Sequence, residues 1–166
     1  MPSINSAGSI VADNAVGYTS EASFLPVAAA IGAGDVMTGA KEFTYLGPSS
    51  GGEVVIEGTK LVVEHSALIA SEAGYTLHLY SVTPPSAIAD NGVWDITTAD
   101  RASYQCSIAL GTPVDLGSTL CVHVDGINKQ VTIPVGGSLW AYLETDAGFT
   151  PTAALRVVTL HARSVS

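Results

Sequence analysis

From Lys41 onward no stretch of the chain keeps the three-to-four-residue apolar period of a helix. Short apolar runs alternate residue by residue instead, between clusters of Gly, Pro, Ser, Asn and Asp. KEFTYL and EVVIEG flank the turn GPSSGG, and KLVVEHSALIA passes through SEAG into YTLHLYSV. GVWDI, RASYQCSIAL, STLCVHV, KQVTIPV, SLWAYLE and AALRVVTLHA follow. About eight to ten short strands at this spacing suit a two-sheet sandwich or a barrel. The expected fold is all-β, a β-sandwich of jelly-roll type over residues 41–166, preceded by an extended N-terminal arm over residues 1–40.

The arm is set apart by composition. Residues 1–40 are rich in Ala, Gly, Ser and Val, carry only Asp13, Glu21 and Asp35 as charges, and hold no Lys or Arg. They are too apolar for a solvated tail and show no lasting period. Two readings stand: an arm that orders against a neighbouring surface, or the first strand or two of the main domain.

Two local features sharpen the expectation. In STLCVHVDGINKQVTIP, Asp125-Gly126 accepts the positive φ of a tight turn. A hairpin there puts Leu120, Val122 and Val124 on one face with Ile127, Val131 and Ile133. In YTLHLYSVTPPSAIADNGVWDI, Pro84-Pro85 ends a strand in which Tyr75, Leu77 and Leu79 oppose Thr76, His78 and Tyr80. The residues that follow are expected to cross to the other sheet or round the sandwich edge, turn at ADNG, and set Trp94 on the core. A single turn of helix is expected in TTADRAS, capped by Thr98 with Asp100 near its N-terminus.

Composition limits the partners. Of the 166 residues, 47% are hydrophobic and only 13% charged, against about a quarter charged in ordinary soluble domains. Surface with so little charge is usually covered by other subunits. The net charge is −9, and the six bases Lys41, Lys60, Arg101, Lys129, Arg156 and Arg163 are scattered. That argues against nucleic acid and against an anionic membrane, both of which require a basic patch. The opening MPSINSAGSIVADN has no basic n-region, and FLPVAAAIGAG is about half a membrane span, so a cytosolic origin is expected. Cys106 and Cys121 are then expected to be unpaired thiols within strands.

No residue pattern specifies chemistry. His65, His78, His123 and His161 each lie in apolar strand surroundings. Cys121 and His123 share a sheet face, but two ligands fall short of the four of a structural zinc or the three of a catalytic one. Asp90, Asp95 and Asp100 lack the spacing of a calcium loop, and Asp90-Asn91-Gly92 reads as a turn. Nucleophile-elbow and phosphate-loop patterns are missing, and Glu53 with Glu57 read as solvated strand ends. Trp140 and Tyr142 lie on a strand apolar on both faces, which places it centrally or at a subunit contact. No catalytic, cofactor-binding or metal residue is assigned, and no enzyme activity is expected.

The run from YTLHLYSVTPPSAIADNGVWDI through DRASYQCSIAL and PVDLGSTL, with GGSLWAYLETDAGFTPTAALRVVTLHA after it, resembles a family of small virion proteins encoded among the head genes of tailed bacteriophages. The resemblance covers residues 60–163 and leaves the arm unmatched. It implies a structural role: a capsid decoration or cement protein on the capsid exterior, trimeric, bound to the shell of the major capsid protein. The alternative it leaves open is a head-fibre, tail, or receptor- or carbohydrate-binding sandwich.

Overall fold

Turn residues cut the chain into strands, and alternation decides which face each strand buries. The computed structural model describes residues 3–4, 10–11 and 15–165. The described strands are β1 (Ser3–Ile4), β2 (Ile10–Val11), β3 (Gly17–Phe24), β4 (Lys41–Phe43), β5 (Gly52–Val63), β6 (Tyr75–Tyr80), β7 (Tyr104–Gly111), β8 (Val114–Asp115), β9 (Leu120–Ile133), β10 (Leu139–Thr145) and β11 (Arg156–Ser164). The described residues contain no helix.

β1 and β2 pair only with each other. The rest form a five-stranded sheet, β3-β11-β5-β9-β8, and a four-stranded sheet, β4-β10-β6-β7, with every pair antiparallel. Leaving out the stub β8, the other eight strands count in chain order from first to eighth. One sheet then runs first-eighth-third-sixth, the other second-seventh-fourth-fifth. This interleaving of two Greek keys is the jelly roll, as the turn spacing predicts.

The space between the sheets is filled by alternate residues of each strand. Val54, Ile56, Leu61 and Val63 of β5 face Leu77 and Leu79 of β6 and Leu139 and Leu143 of β10, all fully buried. Each such side chain contributes about 1.5–3 kcal/mol of transfer free energy. At one open edge the sheets are tied by the Thr132 N–H, which donates to Gln105 Oε1 at 3.0 Å. At one end of the sandwich the segment after β3 meets that after β10, and the segment after β5 meets β11 and its approach. At the other end Leu46 N and Gly47 N both donate to Gly137 O. Gly137 has φ +79, and a Cβ there would lie 2.7 Å from Gly47 O, so only glycine fits.

Four expectations are corrected. The boundary at Lys41 cuts through the sandwich: β3 pairs along its whole length with β11, and Phe24, Ile31, Val36 and Met37 are buried. Residues 17–40 are thus built into the domain, because Ser20, Ala22 and Phe24 alternate inward. Residues 1–2, 5–9 and 12–14 of the expected arm lie outside the described residues. Second, EVVIEG and KLVV are one strand, β5, bulged between Ile56 and Gly58.

Third, Asp125-Gly126 does not reverse the chain. β9 runs straight through it, because β5 offers a partner on both sides: Leu61 opposes Val122 and Val54 opposes Val131. The positive φ of Gly126 and Asn128 makes a bulge instead. Fourth, GVWDI is not a strand. Only Val93 forms an isolated bridge, to Asp35.

Candidate functional site

One face of the four-stranded sheet is covered by the core, and the part of the other around Tyr80 and Tyr142 by the connection 81–103 together with Val36. β6 and β7 are neighbours in one sheet. Expected to cross to the other sheet or round the sandwich edge, the connection between them instead folds back over the outer face of its own sheet. Trp94 therefore sits outside the sandwich core. Its indole stacks on His78 with ring centroids 3.7 Å apart and planes 11° from parallel. Its Nε1–H donates to Tyr80 Oη at 3.1 Å, and burial, the largest cause, pushes the Tyr80 phenol up to about 12. Tyr142 stands edge-on to Tyr80 and accepts the Ile88 N–H at 3.0 Å. This is the half of β6 and β10 that alternation assigns to solvent, which explains why the strand with Trp140 and Tyr142 reads as apolar on both faces.

The aspartates of this connection do not converge. Asp90 Oδ1 accepts the Gly39 N–H, and Asp95 is exposed. Asp100 is buried, with the Ser86 N–H on one carboxylate oxygen and the Thr97 hydroxyl on the other. Burial by itself raises the Asp100 pKa, but these hydrogen bonds outweigh it and hold the carboxyl below its usual 3.8. TTADRAS is a turn rather than a helix, since Thr97 and not Thr98 closes onto Asp100. Asp100 staples the ends of a long connection together.

His78 has a geometry of its own. It is 4% exposed, and Nε2–H donates to Glu144 Oε2 at 2.5 Å. Nδ1 has no partner. Burial holds the imidazole below its usual 6.5, against the pull of the Glu144 and Asp146 carboxylates. The folded state therefore takes up the His78 proton less readily than the unfolded chain. Stability is full above about pH 6.5 and declines as pH falls toward the lower folded value. Asp100 adds a second loss that begins only near its own unfolded value of 3.8. The urea midpoint of the wild type is expected to drop between neutral pH and about pH 5, a window above the carboxylate range. In His78→Gln, which keeps a donor toward Glu144 but cannot titrate, the drop should nearly vanish. Parallel curves for the two proteins would contradict this assignment.

Elsewhere the singled-out residues stay apart. His123 is exposed and lies 3.6 Å from Asp125, while His161 Nδ1 is 3.2 Å from Thr19 Oγ1 and His65 Nδ1 is 2.5 Å from Ala67 O. Cys106 and Cys121 are free and half-buried. Glu53 accepts from Gln130 and Thr132, and Glu57 accepts from Arg163 Nε at 2.7 Å. Among the described residues no group of three or more His, Cys, Asp or Glu side chains is placed to hold a metal ion.

One polar cluster escapes the sequence reading. Arg156, fully buried, donates from Nη2 to Glu72 Oε1 at 3.3 Å, from Nε to Tyr75 Oη at 3.3 Å and from Nη1 to Ala154 O at 2.7 Å. Glu72 also accepts from the Tyr75 hydroxyl and from the Ile69 N–H. Burial pushes the Tyr75 phenol far above its usual value. The only signal in the sequence is an arginine opening an otherwise apolar strand, RVVTL.

No protein-family model matches the chain, and no curated protein matches it. Among solved structures, a chain of the cyanophage Pam1 capsid asymmetric unit is 16% identical at TM-score 0.37, over 99% of this chain and 100% of that one. A chain of desmodium yellow mottle tymovirus is 11% identical at TM-score 0.31, over 92% and 87%. The K1 cleaved adhesin domain of Lys-gingipain from Porphyromonas gingivalis is 11% identical at TM-score 0.33, over 76% of this chain, which spans 63% of that domain. These likenesses are distant, and the assignment of the fold rests on the strand order.

Proposed function

We propose that this chain is a virion structural protein: a capsid decoration or cement protein that binds and stabilises the shell of the major capsid protein from outside. The observation that carries the reading is the jelly-roll strand order in a body whose buried Arg156, Glu72 and Asp100 are tied to one another or to neighbouring chain segments. Jelly rolls serve as capsid domains, lectins and cupins. A cupin requires a ligand cluster inside the barrel, and here that space is packed with Phe24, Leu77, Leu143 and Leu160. A lectin requires an aromatic platform open to a sugar. Trp94, Tyr80 and Tyr142 are instead spent on His78, on each other and on the connection above them.

The resemblance of residues 60–163 to phage head proteins supports the same reading, and 13% charged residues suit a surface shared with neighbours. A trimer hides part of that surface. A net charge of −9 keeps the protein off nucleic acid and anionic lipid.

The test is removal of the gene from the virus that carries it. Particles lacking the protein are expected to assemble, release their genome at a temperature several degrees lower, and recover when the purified chain is added back. Particles of unchanged heat stability would overturn the reading.

A further inference from the structure

Cross-strand register lines up an uncharged row across the outer face of the five-stranded sheet. Val114 stands opposite Cys121, Cys121 opposite Val62, Val62 opposite Val157, and Val157 opposite Ser23. The neighbours of Val62 and Val157 along their strands, Leu61, Val63 and Val158, are fully buried, so alternation turns the row outward. Cross-strand neighbours lie within about 5.5 Å of one another, which makes the row a continuous apolar band. The chain then leaves the sheet within two or three residues, and Leu25, Leu68 and Leu116 stand exposed in the segments that follow β3, β5 and β8. Val114 and Leu116 are 62% and 67% exposed.

Charge on this end has one sign. Glu64 and Asp115 are exposed along it, and Arg156, the base closest to the end, is buried against Glu72. The first accessible base, Lys60, lies one row further down the sheet, opposite His123 and Thr159. Beyond it charges of both signs alternate, with Arg163 held by Glu57. The opposite end also exposes apolar side chains, Tyr45 and Val135, but neither continues into an uncharged row of sheet.

We propose that this end of the five-stranded sheet is the surface that docks on the shell protein, and that the matching surface is an apolar patch bordered by lysine or arginine. The inference rests on the reading of the chain as a shell-binding virion protein and names the face that reading leaves open. An apolar centre with a charged rim is the usual anatomy of a protein interface, and complementary rims set partner choice. A second copy pressing the same patch would bring Glu64 and Asp115 of both chains together with no base to relieve them. The surface therefore selects a partner of opposite rim charge rather than itself.

The test uses the full chain and shells assembled from the major capsid protein of the virus that encodes it, read by co-sedimentation. Val114→Asp with Leu116→Asp changes two exposed positions. Tyr45→Asp with Val135→Asp is the control at the far end, and Glu64→Lys, in the segment after β5, probes the rim without touching β8. Unfolding midpoints close to wild type establish that each variant is folded.

The Val114/Leu116 variant is expected to lose about tenfold or more in affinity, Glu64→Lys to weaken binding, and the control to bind as wild type. Full binding by both the folded Val114/Leu116 variant and Glu64→Lys would overturn the inference while leaving the cement reading intact. Failure of the wild type to bind shells would overturn both. A wild-type oligomer in solution that Val114→Asp with Leu116→Asp disperses would assign the surface to a second copy, and so would also overturn the inference.

Discussion

Replacing Arg156 with alanine is expected to destabilise the protein by about 3–5 kcal/mol, close to the cost of breaking a buried ion pair from one side. Arg156 and Glu72 have side chains 0% and 1% exposed. Removing the guanidinium leaves the Glu72 carboxylate in apolar surroundings, with the Tyr75 hydroxyl and the Ile69 N–H as its remaining partners. It also unties β11 from the segment before β6, since the Arg156 Nη2 bond to Glu72 is lost, and it frees the Ala154 carbonyl on the approach to β11. Replacing both members, Arg156→Met with Glu72→Gln, should cost clearly less than the single change, because no buried charge is then stranded. Urea unfolding with an unchanged slope is the measurement. A single variant within about 1 kcal/mol of wild type, the ordinary effect of a point change, would show that the cluster carries no such weight.

Deleting residues 2–40 is expected to abolish cooperative folding, whereas deleting residues 2–14 should leave the sandwich folded. The longer deletion removes β3, which covers the full length of β11, and takes Phe24, Ile31, Val36 and Met37 out of the core. Each large apolar side chain lost costs about 2–5 kcal/mol. The sum, about 8–20 kcal/mol before the lost β3–β11 pairing is counted, matches the whole 5–15 kcal/mol by which a domain of this size is typically stable. Of the described residues, the shorter deletion removes β1 and β2, which pair with each other and with neither sheet. Far-ultraviolet circular dichroism and a urea transition separate the outcomes. A cooperative transition in the 41–166 fragment would contradict the placement of β3.

The fold class was readable because turn clusters and period-two alternation are local signals, and the strand order has few alternatives once eight short strands pack in two layers. The connections were harder. Gly58 looks like the end of a strand, yet it marks a bulge in β5, since only the neighbours on either side reveal that pairing continues. Asp125-Gly126 carries hairpin chemistry, and the presence of β5 along both halves of β9 overrides it.

The outer aromatic cluster depends on Trp94 returning to His78, and nothing in the residues between says which face the loop will cover. Arg156 and Glu72 are 84 residues apart, so no window along the chain contains both. Where the sequence was silent, the missing information was tertiary: which strand lies alongside, and which side chain arrives from a distant segment.

The most direct test of the account is an icosahedral reconstruction of the virion that carries this chain. The account predicts two-sheet density of this size on the outside of the shell, at contacts between capsomers. The end bearing Val114 and Leu116 should face the shell protein. Density for the chain confined to the tail or a fibre, or absence of the chain from the particle, would contradict it.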